Sequence, residues 1–150
     1  MKQNLVLYIC LASLFLVTIL MAITTPVVNA QQQYEFVTQW GSEGPGPGQF
    51  NGQNDVDPFQ DNVFVADYDN NRIQIFDSNG TFVTSWGSEG SGDGQIDKAS
   101  ALTIDRNGNI YLVDQSNLRI QKFDHNGNFV TKWGTEGEAN GQFLHPHVAA

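Results

Sequence analysis

Two short constellations in this sequence could do metal chemistry. His145-Pro146-His147 puts two imidazoles on one side of an extended chain, because side chains alternate with a period of two, and zinc accepts such a pair when a third ligand joins it. That third ligand is not visible. Asp67-Tyr68-Asp69-Asn70-Asn71 offers oxygen ligands at its first, third and fifth positions, as a calcium loop does, but Arg72 and Ser78 stand where such a loop needs glycine and glutamate. Turn chemistry is the better account of that run. The lone cysteine, Cys10, lies in an apolar N-terminal run, so disulfides, thiolate metal sites and a cysteine nucleophile are excluded beyond it. No Ser, His and acid set is recognisable by motif. The expectation is no cofactor and no catalytic residue, with zinc or calcium as the alternative. Asn79-Gly80-Thr81 is an acceptor pattern for N-glycosylation, on residues that equally suit a turn.

The elements that must position these residues announce themselves by repetition. Phe36-Val37-Thr38-Gln39-Trp40-Gly41-Ser42-Glu43-Gly44 returns as Phe82 to Gly90 and again as Phe129 to Gly137, and each stretch closes on Gly-Gln and an apolar residue, at Phe50, Ile96 and Phe143. A second block, Val63 to Asp67 through Asn70, Arg72-Ile73-Gln74 and Phe76-Asp77, returns 47 residues later. Within one unit, four runs rich in Val, Ile, Phe and Tyr are separated by Asn, Asp and Gly clusters, which predicts four antiparallel strands joined by tight turns. In the second unit they cover 100–105, 109–114, 119–124 and 128–133. Ile73 and Ile75 face one way and Gln74 and Phe76 the other, so both faces of the sheet need cover. Radial stacking about an axis provides it, and a period of 40 to 50 residues with four strands is the mark of a β-propeller.

The run Ile104 to Asp114, continuing to Asn117, Arg119-Ile120-Gln121 and Phe123-Asp124, resembles the NHL repeat. Similar repeats form six-bladed propellers in tripartite-motif NHL proteins, bacterial sensor-kinase ectodomains and the peptidyl-amidating lyases, the last of which hold a metal in the channel. The resemblance implies an all-β fold of four-stranded blades and leaves function open, because the matching residues are those that build blades. Between Phe50 and Val63 the first unit departs from the pattern: 51–57 is two residues shorter than 97–105, and the inner strand there is the least defined.

Lys2, the uncharged run Leu5 to Ile23 and Val28-Asn29-Ala30 mark residues 1–30 as a signal peptide or, if uncleaved, a membrane anchor through residues 5–23. The product would be secreted or tethered outside the cytoplasm. The remaining 31–150 would hold an outer strand at 34–40, blades at 50–87 and 96–134, and the start of another blade at 143–150. Two complete blades leave open edges and apolar faces, which reads as a fragment of a longer protein.

Sixteen acidic and six basic residues follow Ala30, a net charge of −10 that repels phosphate backbones and argues against nucleic acid. Alternation of strand direction brings the Gly-rich stretches and the second-to-third turns to one side. Glu43, Asp69, Glu89, Asp93, Glu136 and Glu138 lie there and favour a partner with basic groups. Asp67 with Arg72, and Asp114 with Arg119, read as local pairs that brace their own turns. The expected function is a non-catalytic scaffold binding a protein, peptide or glycan through this loop face. The alternative is a metal-dependent propeller enzyme of lyase or lactonase type whose site needs further blades.

Overall fold

The computed structural model describes residues 35–147. The chain divides into a unit of residues 1–36 and one of residues 37–150, and every strand among the described residues belongs to the second. The signal or anchor expected at 1–30 lies outside the described residues. Among the described residues no helix is long and apolar enough to cross a membrane.

The described residues form ten strands: β1 (Ser42–Glu43), β2 (Gln49–Phe50), β3 (Gln53–Phe59), β4 (Asn62–Asp67), β5 (Arg72–Asp77), β6 (Phe82–Trp86), β7 (Ala99–Ile104), β8 (Ile110–Asp114), β9 (Arg119–Phe123) and β10 (Phe129–Trp133). β3 to β6 make one four-stranded sheet and β7 to β10 another, each ordered as in the chain and antiparallel throughout. Each sheet matches an expected blade. Bulges fall at corresponding places in both, in the inner strand at Gln53/Asp55 and Ala99/Ala101 and in the outer at Phe82/Thr84 and Phe129/Thr131. Each adds local twist, which two stacked blades must share if their side chains are to mesh.

The core lies between the blades. Phe64, Ala66, Ile73 and Ile75 of the first sheet pack on Leu102, Ile110, Leu112 and Phe123 of the second, with Ile96 and Ala99 closing the edge. Burying each large apolar side chain here contributes roughly 1.5–3 kcal/mol. Aromatic rings repeat the plan: Trp40 lies 6.1 Å from Phe76 and Trp86 6.3 Å from Phe123, so the tryptophan just ahead of a Gly-rich stretch packs on the blade that follows it.

Three expectations need correction. The strand predicted at 34–40 does not form over 35–40, where no neighbouring strand among the described residues can pair with it, although Trp40 still takes its place on Phe76. Of the start of another blade expected at 143–150, the described residues hold only a bridge between Phe143 and Glu136; 144–147 are not strand, and 148–150 lie outside the described residues. The inner strand of the first blade is neither short nor poorly defined. Gln53 pairs with Asp67 as Ala99 pairs with Asp114, so 51–57 corresponds without a gap to 97–103 and not to 97–105. Asp57 is a strand residue, and the turn after β3 is Gln60-Asp61, Gln60 having φ 55°.

Candidate binding face

The Gly-rich stretches become straps, and the two that lead into β3 and β7 are each held by a buried polar clamp. In the first blade Asp67 is wholly buried at the end of β4 and accepts from the Asn51 amide at 2.8 Å, from Asn70 Nδ2, from Arg72 Nε at 2.8 Å and from Gln74 Nε2 at 3.0 Å. Those donors then reach across to the strap. Asn70 donates to the Gly44 carbonyl, Arg72 to Gly46 and Gln49, and Gln74 to Gln49, while the Gly48 amide donates back to Gln74 Oε1. The second blade repeats the clamp with Asp114, Asn117, Arg119 and Gln121 on the strap 87–96.

The acid and base pairs are therefore more than local turn braces. Asp114 and Arg119 meet at 2.6 Å with side chains almost fully buried, and every polar arm of Arg119 ends on an acceptor. A buried charge is tolerable only when its partners are complete in this way. Sequence reasoning placed Asp67 with Arg72 and Asp114 with Arg119 correctly but missed Asn70, Gln74, Asn117 and Gln121 as partners. Their recurrence with the same spacing to the aspartate was the available signal.

A clamped strap shows its remaining side chains to solvent in fixed positions. Glu43 in β1, Glu89 and Glu136 at the bridges to Ile96 and Phe143, and Glu138 are all exposed and have no ion pair among the described residues. Asp69 and Asp93, expected with them, are instead engaged by Lys98 at 2.5 Å and Lys132 at 2.7 Å. The Asp69 carboxylate holds the Lys98 ammonium above its ordinary value of 10.5, and Lys98 also lies 5.1 Å from the centre of the Tyr68 ring.

Towards the inner strands the face acquires a second polar group. Tyr68 Oη donates to Gln115 Oε1 at 2.6 Å, and Gln115 Nε2 lies 2.8 Å from His147 Nδ1. His147 joins Asn54, Asp55, Ser100 and Ala101 around a cavity of about 330 Å³. Here the inner strands are tied side by side: Asn54 donates to the Ser100 carbonyl, and Asp55 and Asp57 accept from the Leu102 and Ile104 amides at 2.8 and 2.9 Å. Lys98 takes φ 66° where the first strap has Gly52, also at φ 66°, so a lysine sits in a backbone well that costs it about 1–2 kcal/mol. His145 is exposed, and no three metal-binding side chains gather among the described residues.

At the other ends of the strands, Asn79 stands exposed at the tip of the β5–β6 turn. Asp77, Asp105 and Asp124 open three turns of one design, each accepting two backbone amides through one carboxylate oxygen. Those bonds hold all three carboxyls below the ordinary 3.8: the Thr81 amide contributes most for Asp77, and the side-chain amides of Asn109 and Asn128 for Asp105 and Asp124.

A family model described as a 6-bladed beta-propeller matches residues 51–135, from the entrance to β3 to just beyond β10. Among curated proteins none matches. A solved structure from Bacteroides fragilis NCTC 9343, of a protein provisionally described as exported, superposes with a TM-score of 0.57 at 18% identity, covering 71% of this chain and 30% of that one. Hydrazine synthase from Kuenenia stuttgartiensis gives 0.44 at 13% identity, over 63% of this chain and 24% of the other. The chain thus spans less than a third of either protein. At such identities the first likeness speaks to fold alone.

Proposed function

Because the chain belongs to the 6-bladed β-propeller family, we propose that it serves as a non-catalytic binding module outside the cytoplasm. Its blades, on this reading, are of the NHL type and bind a protein or peptide partner through the strap face. Export is supported by Lys2, the apolar run Leu5 to Ile23 and Val28-Asn29-Ala30, and by a structural neighbour described as exported. The NHL type is supported by the Asp, Asn, Arg and Gln clamp, which uses the residues that carry the resemblance.

One observation carries the binding role: the buried clamps fix the straps that carry the outward carboxylates Glu43 and Glu89, and Glu136 repeats them on the third Gly-rich stretch, none with a cation of its own among the described residues. A preorganised row of like charges recognises a partner with spaced basic groups at little ordering cost. The test uses calorimetric titration of a lysine-rich peptide and a neutral peptide of equal length into the full chain. Binding should favour the lysine-rich peptide, and Glu89→Lys should weaken it at least fivefold while Asp61→Lys, at the opposite ends of the strands, has less than a twofold effect. Equal losses from the two reversals would reduce the effect to net charge and overturn the assigned face. Stoichiometric bound zinc or calcium would count against a purely binding role.

A further inference from the structure

We propose that Asn79 is an attachment site for an N-linked glycan, a reading that rests on the proposed export of the chain. The three turns at 77–81, 105–109 and 124–128 share one hydrogen-bond scheme. In each, the first aspartate donates its amide to the fifth carbonyl, the glycine amide donates to the aspartate carbonyl, and one carboxylate oxygen accepts from the third and fifth amides. At the fifth position two turns carry asparagines, Asn109 and Asn128, whose side chains add a bond to the second carboxylate oxygen at 2.7 and 2.9 Å. The turn at 77–81 has Thr81 there, whose shorter side chain bears on Asp77 less than the Thr81 backbone amide does.

That exchange weakens a brace and completes Asn79-Gly80-Thr81, the acceptor pattern that neither Asn107-Gly108-Asn109 nor Asn126-Gly127-Asn128 satisfies. Asn79 is exposed, and its backbone amide is held by Asp77. The turn lies at the ends of the strands away from the straps, so a saccharide on it leaves the strap face open. It would also lie beside Trp40, whose ring rests on Gly80 and is 40% exposed.

The chemistry requires a lipid-phosphate-linked oligosaccharide and the transferase that uses it. The Asn79 amide nitrogen attacks the sugar C1, a C–N bond forms, and the C1–O bond to the carrier phosphate breaks. The lipid phosphate leaves with the electron pair, and the nitrogen gives up one proton.

The full chain, purified from the cells that naturally make it, should be digested with trypsin and the peptide Ile73 to Lys98 weighed before and after treatment with peptide N-glycosidase. The expected result is a peptide heavier by whole sugar residues that returns as its Asn79→Asp form. Thr81→Asn should abolish the added mass and, by recreating the brace of the other two turns, should leave the chain folded; Thr81→Ser should retain it. An unmodified peptide from the natural source, or a modification that survives Thr81→Asn, would overturn the assignment.

Discussion

At the residue scale the polar clamp is the feature most sensitive to change. Arg119 neutralises Asp114 and fills three strap carbonyls, so Arg119→Met leaves a buried carboxylate without its cation and should lower stability by about 3–5 kcal/mol in urea unfolding. Lys132→Met, which removes an exposed pair with Asp93, should cost less than about 1 kcal/mol. The turn aspartates differ from the clamp in being only half-buried, and their lowered pKa values set a pH dependence. A carboxyl whose folded value lies below its unfolded one stabilises the fold fully above the unfolded value and loses that contribution as pH falls through the folded one. Asp77, Asp105 and Asp124 should therefore support stability above 3.8 and release it together below that point. Urea midpoints measured from neutral pH downward would check this: replacing all three by asparagine should flatten the acid limb. Asp67 and Asp114 were legible as paired acids from their spacing to Arg72 and Arg119. Their complete burial was not, because it depends on a strap that folds back from 23 to 28 residues away.

At the element scale the straps matter most, because they convert an outer strand's end into cover for the next blade. Gly90 has φ 149°, and the Gln95 side chain occupies the space a Cβ would need. Gly90→Ala should cost about 1–3 kcal/mol through backbone strain and displacement of Gln95. A thermal unfolding series checks it, with Ser91→Ala as a neighbouring control that should move the midpoint little. The glycines in each repeat were visible as punctuation, and the short strands between them as alternating apolar runs. What alternation could not supply was the length of the turn that ends the inner strand. Matching Asp57 to Asp105 puts it at the opening of a turn, whereas the two-residue turn Gln60-Asp61, against 105–109 in the second blade, leaves it within β3 with its carboxylate on the Ile104 amide.

At the scale of the whole molecule, negative charge and blade geometry act together. With sixteen acidic residues against seven basic ones, the chain projects a field that attracts a cationic partner before contact. Association with a lysine-rich peptide should slow about tenfold or more between low and high salt while dissociation changes far less, as stopped-flow measurements would show. Loss of binding through faster dissociation alone would point to short-range contacts around Tyr68, Gln115 and His147 instead. The sequence by itself determined the repeat, the number of strands in each unit, the turn residues and the sign of the charge, because propensity, alternation and composition are local properties. Tertiary structure alone decided which carboxylates are buried and which remain exposed, that Asp69 and Asp93 are already paired, and that Tyr68, Gln115 and His147 meet near the inner strands. Those outcomes depend on how one blade stacks on the next, and stacking brings together residues 27 to 47 positions apart whose contacts no single period can encode.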